Sequence, residues 1–181
     1  MTTAHTRLLA AILERQDDPG DDETCDRAYW LERLKPGGLS GPDIAAIWTR
    51  PGARGAFIEA RREALAPVRR TWGERGYDRP VHAMAAADGA PVRPFEGPGY
   101  SGVAIAPARG RDSWIISLEL KPETLEATPE WTKFRLTDSG GRIWLTGRPE
   151  PGFRAIDARW DYDDETPAQR LASHELRMEL V

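Results

Sequence analysis

Residues Trp131 to Gly147 read W-T-K-F-R-L-T-D-S-G-G-R-I-W-L-T-G, and no other stretch constrains the fold as tightly. Phe134 and Leu136 alternate with Lys133 and Arg135, and Ile143 and Leu145 lie beyond Asp138-Ser139-Gly140-Gly141. That central cluster supplies positive φ at little cost, so the stretch predicts a β-hairpin. Side chains alternate across a strand, so placing Ile143 and Leu145 in a core turns Trp144 outward beside Arg142 and Thr146. With Trp131 near the start of the paired strand, the expectation is an apolar patch rimmed by Lys133 and Arg135.

The hairpin belongs to a longer stretch with a period of two and turn residues at short intervals, beginning near Arg79. Strands are expected over 81–87, 92–95, 103–106, 113–120, 153–160 and 175–180, with Gly97 to Gly102 as a loop. Single helical turns are expected within 122–129 and 168–173. Many short strands of this spacing imply a small antiparallel β-sandwich or barrel.

The first part of the chain has a helical period instead. Leu8, Leu9, Ile12 and Leu13 predict a helix over 3–16. A second helix follows caps at Asp22 or Thr24, with the stripe Ala28, Leu31 and Leu34, and stops at Pro36-Gly37-Gly38. Ser40, Pro42 and Asp43 all point to the start of a third. A fourth runs from Ala53 or Arg54 to Trp72 and buries Phe57, Ile58, Leu65, Val68 and Trp72, with a kink or break near Ala64 caused by Pro67. The expected fold is therefore α+β. A small helical bundle of about four helices over 1–76 precedes an antiparallel sandwich or barrel over 79–181.

Composition narrows the function classes. The chain has 181 residues, 40% of them apolar and 30% charged, with seven Trp, which fits a globular protein rather than a disordered one. The net charge is −4 and neither half carries a basic excess, against the usual footprint of a nucleic-acid binder. Cys25 is the single cysteine, so no intramolecular disulfide can form, and no apolar run reaches the length of a membrane span. A cytoplasmic location is the expectation. His5, His82, His174 and Cys25 lie outside metal-site spacing of one another, and no phosphate-cradling glycine motif or nucleophile elbow is present. No cofactor and no metal is expected.

Three readings of function follow. The leading one is a non-enzymatic regulatory or adaptor protein that binds another protein, its anchors drawn from Trp30, Trp48, Trp131 and Trp144 because Trp is enriched in binding hot spots. The outline of a small helical clamp before a β-rich segment, with no membrane span, is similar to that of cytoplasmic anti-sigma-type regulators. The zinc-binding residues of one such class are missing. The second reading is a DNA-binding regulator, since Ser40 to Arg62 has the outline of a helix-turn-helix presenting Arg54, Arg61 and Arg62. The third is a divalent-metal-dependent enzyme using carboxylates of Asp157 to Glu165, a cluster that matches no EF-hand spacing and reads more simply as a solvated loop.

Overall fold

The computed structural model describes residues 21–35, 39–82, 91–107 and 113–181. The helix expected over 3–16, the stop at 36–38 and nearly all of the strand expected over 81–87 lie outside these residues. The chain divides into two compact units, Met1–Ala66 and Pro67–Val181.

In the first unit, α1 (Asp21–Thr24) is a single turn and α2 (Arg27–Arg33) starts at Asp26, whose carboxylate accepts from Ala28 N at 2.9 Å. Trp30 is completely buried: its indole N–H donates to Thr24 O at 2.7 Å and its ring meets Tyr29 and Phe57 edge-on. Ala28, expected in the buried stripe of this helix, is exposed, and Leu34 is buried. Next come α3 (Gly41–Thr49) and α4 (Pro51–Arg75), separated by Arg50 alone.

Pro67 does not break α4, which is helical over 25 residues. Its buried positions are also not one apolar line. Within the first unit they are Ala53, Ala56, Ala60 and Leu65, whereas Ile58, assigned inward from the sequence, is 49% exposed. Alanines at helical spacing form a stripe that lets neighbouring backbones approach closely, so the larger Ile58 is not needed there.

The second unit takes its own share of α4: Val68 and Trp72 pack into its core. Its strands are β1 (Val92–Gly97), β2 (Tyr100–Ile105), β3 (Ile115–Leu120), β4 (Phe134–Asp138), β5 (Ile143–Gly147), β6 (Ala155–Arg159) and β7 (Leu176–Leu180). Two short helices interrupt them, α5 (Pro122–Glu126) and α6 (Pro167–Ser173). All strand pairs are antiparallel, in the orders β1-β2-β3-β6 and β5-β4-β7. Gly97 to Gly102, expected as a loop, is instead the tight Pro98-Gly99 turn between β1 and β2.

The expected architecture is corrected by these observations. Among the described residues, seven strands form two open sheets, not a closed barrel, and the helices before them are short segments plus one long helix rather than a bundle of about four. The second unit is also not all-β. Phe95, Tyr100, Ile116, Leu118 and Leu120 of one sheet share a core with Phe134, Leu136, Leu176 and Met178 of the other, and Trp72, Tyr77 and Leu171 from outside the strands join it. Trp72 stacks on Phe134 at 5.8 Å and donates to Thr128 Oγ1 at 3.2 Å.

The hairpin forms with Gly141 at φ +83° in its turn, but the phase of β5 is corrected. Leu136 faces Leu145 while Thr137 faces Ile143, so β5 spends two residues where β4 spends one, and Trp144 is the extra residue of a β-bulge. Consecutive Trp144 and Leu145 are consequently both buried, at 2% and 3% exposure, and Ile143 turns outward. Strict alternation fails at that single step.

Candidate functional site

The four tryptophans named as partner anchors separate cleanly. Trp30 and Trp144 are core residues and present nothing to a partner. Trp131 is half-buried ahead of β4, and the patch expected from it and Trp144 does not form. Trp48 is 76% exposed, the most exposed of the large apolar residues among the described residues.

The local sequence explains why Trp48 is held where it is. Ser40 caps α3 with a reciprocal box: its hydroxyl accepts from Asp43 N, and Asp43 Oδ2 accepts from Ser40 N at 2.8 Å. Pro42 fits the first turn, where an N–H has no helical partner. At the far end Pro51 disfavours helical backbone for the residue before it, and Arg50 is accordingly extended, at φ −119° and ψ 108°. These two punctuation marks fix the register of a nine-residue helix whose inward positions are Asp43 and Ala46. Ile44 and Trp48, four residues apart, then fall together on the solvent side, where Ile44 is 46% exposed.

Asp43 is the only charged residue of α3, and it points inward. Besides the cap, its Oδ1 accepts from Tyr29 Oη at 2.8 Å and lies 3.8 Å from Arg33 Nε. Burial pushes its carboxyl up, but the bonds from Ser40 and Tyr29 and the charge of Arg33 outweigh this and hold it below the ordinary aspartate range. With Asp43 turned in, the exposed side of α3 is Pro42, Ile44, Ala45, Trp48 and Thr49, without a formal charge. On its other side is a groove of about 430 Å³ lined by Pro42, Asp43, Ala45, Ala46, Thr49 and Arg50 together with Thr24 and Tyr29.

The arginines proposed for DNA, Arg54, Arg61 and Arg62, all lie on α4. Arg54 and Arg62 are exposed and Arg61 is half-buried, with Glu59 and Glu63 interspersed. Arg50 alone joins α3 to α4, a shorter connection than the three- to four-residue turn of a helix-turn-helix. The carboxylates of 157–165 do not converge. Asp164 binds Arg142 at 2.6 Å and Glu165 binds Arg170 at 3.0 Å. Among the described residues no group of three or more His, Cys, Asp or Glu could hold a metal ion. None of their helices is long and apolar enough to cross a membrane.

Sequence reasoning missed a buried ion pair in the second unit. Asp138, 4% exposed, accepts from both Arg170 Nε and Nη2, at 2.8 and 2.6 Å, from Trp144 Nε1 at 2.9 Å and from Arg142 N at 3.0 Å. Burial pushes its carboxyl up and these four bonds hold it below the ordinary range. Every donor is accounted for inside the fold, so this group organises the hairpin and does not await a ligand. A cleft of about 290 Å³ beside Arg69, Trp72, Asp78 and Arg177 is similarly committed, with Arg69 Nη2 on Leu180 O and Arg177 Nε on Asp78 O.

No family model, no curated protein and no solved structure matches the chain.

Proposed function

We propose that this chain is a non-enzymatic regulatory or adaptor protein of the cytoplasm that works by binding another protein molecule through the solvent face of α3. The observation that carries this reading is the pairing of Ile44 and Trp48 on a helix side without charge. A Trp exposed to this degree contributes nothing to the core, whereas on a partner it supplies a large, rigid, largely apolar contact. The capping box and the proline stop hold the pair in one orientation, which lowers the entropy lost on binding. The order of helices before strands is similar to that of anti-sigma-type regulators, and the free, exposed Cys25 fits a reducing compartment.

The test is a photo-crosslinking amino acid placed at position 48 in living cells, with position 153 as control, because Phe153 is almost as exposed, at 67%. A discrete protein adduct from position 48 that is absent from position 153 is expected. Equal labelling at both positions, or none at 48, contradicts the reading.

A further inference from the structure

The first half of α4 carries an exposed seam that the core of its own unit does not use. Pro51, Arg54, Gly55, Ile58 and Arg62 are all exposed and fall at i, i+3, i+4, i+7 and i+11, which a helix places along one side. Ala53, Ala56 and Ala60 take the opposite side inward. Ile58 stands in the middle of the seam, with Arg54 and Arg62 about one turn before and after it. Among the described residues neither guanidinium has an ion-pair partner, and Glu63, next to Arg62, is held by Arg27 at 3.1 Å. Glu59 and Arg61 border the seam on opposite sides and offset one another, so the two arginines set its charge. Two glycines of α4 differ in a way that points to this side. At Gly52 a Cβ would meet Cys25 Sγ at 2.7 Å, so the protomer itself requires the glycine. At Gly55 a Cβ would meet nothing within 4 Å, and any side chain there would favour the helix. Bare backbone beside Ile58 is what a second helix needs in order to lie close.

We infer that this seam docks an acidic amphipathic helix of another protein, independently of the contact made by α3, with the partner's apolar stripe on Gly55 and Ile58 and its carboxylates on Arg54 and Arg62. The chemistry matches at both points: Ile58 needs an apolar contact, and each free guanidinium donates to a carboxylate through two N–H groups. Duplex DNA would satisfy the arginines but offers its phosphates nothing at Ile58, and Glu59 at the border repels them. One helix face is small against the roughly 800 Å² per partner of a standard interface, so the complex is weak, with a dissociation constant on the order of tens of micromolar.

The probe is a fluorescein-labelled helical peptide of about three heptads, with leucine in its apolar stripe and glutamate on both flanks, titrated with the full chain and read by anisotropy. A version with lysine for glutamate, a scramble of the same composition and a labelled DNA duplex are run beside it. Only the glutamate peptide should bind, and its affinity should fall several-fold as salt rises from about 50 to 300 mM. Reversing both charges, Arg54→Glu with Arg62→Glu, should weaken it by about tenfold or more and transfer the preference to the lysine peptide. Ile58→Ser should weaken it by about tenfold without lowering the thermal melt. Gly55→Gln should weaken binding while raising the melt, two shifts of opposite sense that a purely structural position does not give. Phe153→Ser, at an exposed apolar site in the second unit, should bind as the parent does. No binding of the glutamate peptide, equal binding of the scramble, or retention of the duplex through the same two arginines overturns the inference and leaves the role of α3 untouched.

Discussion

Trp48 and Trp144 sit in stretches of similar appearance, each beside an apolar neighbour and each within a few residues of a buried aspartate, yet they have opposite fates. On β5, the bulge turns Trp144 inward, Asp138 accepts its N–H, and Phe95 and Trp160 meet its ring at 6.1 and 4.9 Å. On α3, Asp43 faces inward to the cap and Tyr29, and Trp48, five residues further along the helix, falls on the solvent side. The lesson is that an aromatic residue's fate is set by the backbone that carries it and by whether its polar atom finds a buried acceptor. Hydrophobicity alone does not separate the two.

That contrast gives an ordered set of expected losses. Trp144→Ala should cost the most, about 3 to 5 kcal/mol in denaturant melts, because it opens a cavity and frees a buried carboxylate from one donor. A cost near that of an exposed site would place Trp144 outside the core. Replacing Arg170 by Met leaves Asp138 buried without its guanidinium and should cost on the order of 3 kcal/mol or more.

The hairpin's two strands and their turn were legible because Asp138-Ser139-Gly140-Gly141 announces a reversal and Phe134 and Leu136 alternate cleanly. The phase of β5 was not, since Ile143, Trp144 and Leu145 are all apolar and nothing in their letters marks which one a bulge will displace. The start and stop of α3 were readable from Ser40, Pro42, Asp43 and Pro51, which act within one turn. Contacts across long separations were invisible by comparison. Asp138 and Arg170 are 32 residues apart, and nothing local shows that Trp72 stacks on Phe134 of a β-strand. Ile58 was misassigned because an alanine stripe carries a weaker apolar signal than the isoleucine beside it.

Acid should act on both aspartates in the same direction. Each has a folded-state pKa below its unfolded value, so its stabilisation is present at neutral pH and is lost as pH falls through the folded value, below about pH 4. Asp138→Asn should therefore lower stability at pH 7 and flatten the acid limb of the stability curve. An acid limb identical to that of the parent would remove Asp138 from the account. At the first unit, Ser40→Ala breaks the α3 cap and should cost about 0.5 to 2 kcal/mol, read by chemical denaturation.

The smallest stability change should come from Trp48 itself, within about 0.5 kcal/mol for Trp48→Ser, because its ring lies outside the core. The most direct measurement of the contrast is iodide quenching of tryptophan fluorescence at low micromolar concentration, comparing the parent with Trp48→Phe and Trp144→Phe. Loss of most of the quenchable emission in Trp48→Phe, and its retention in Trp144→Phe, is the predicted result. Quenching unchanged in Trp48→Phe, or abolished in Trp144→Phe, would contradict the claim that α3 presents the binding anchor.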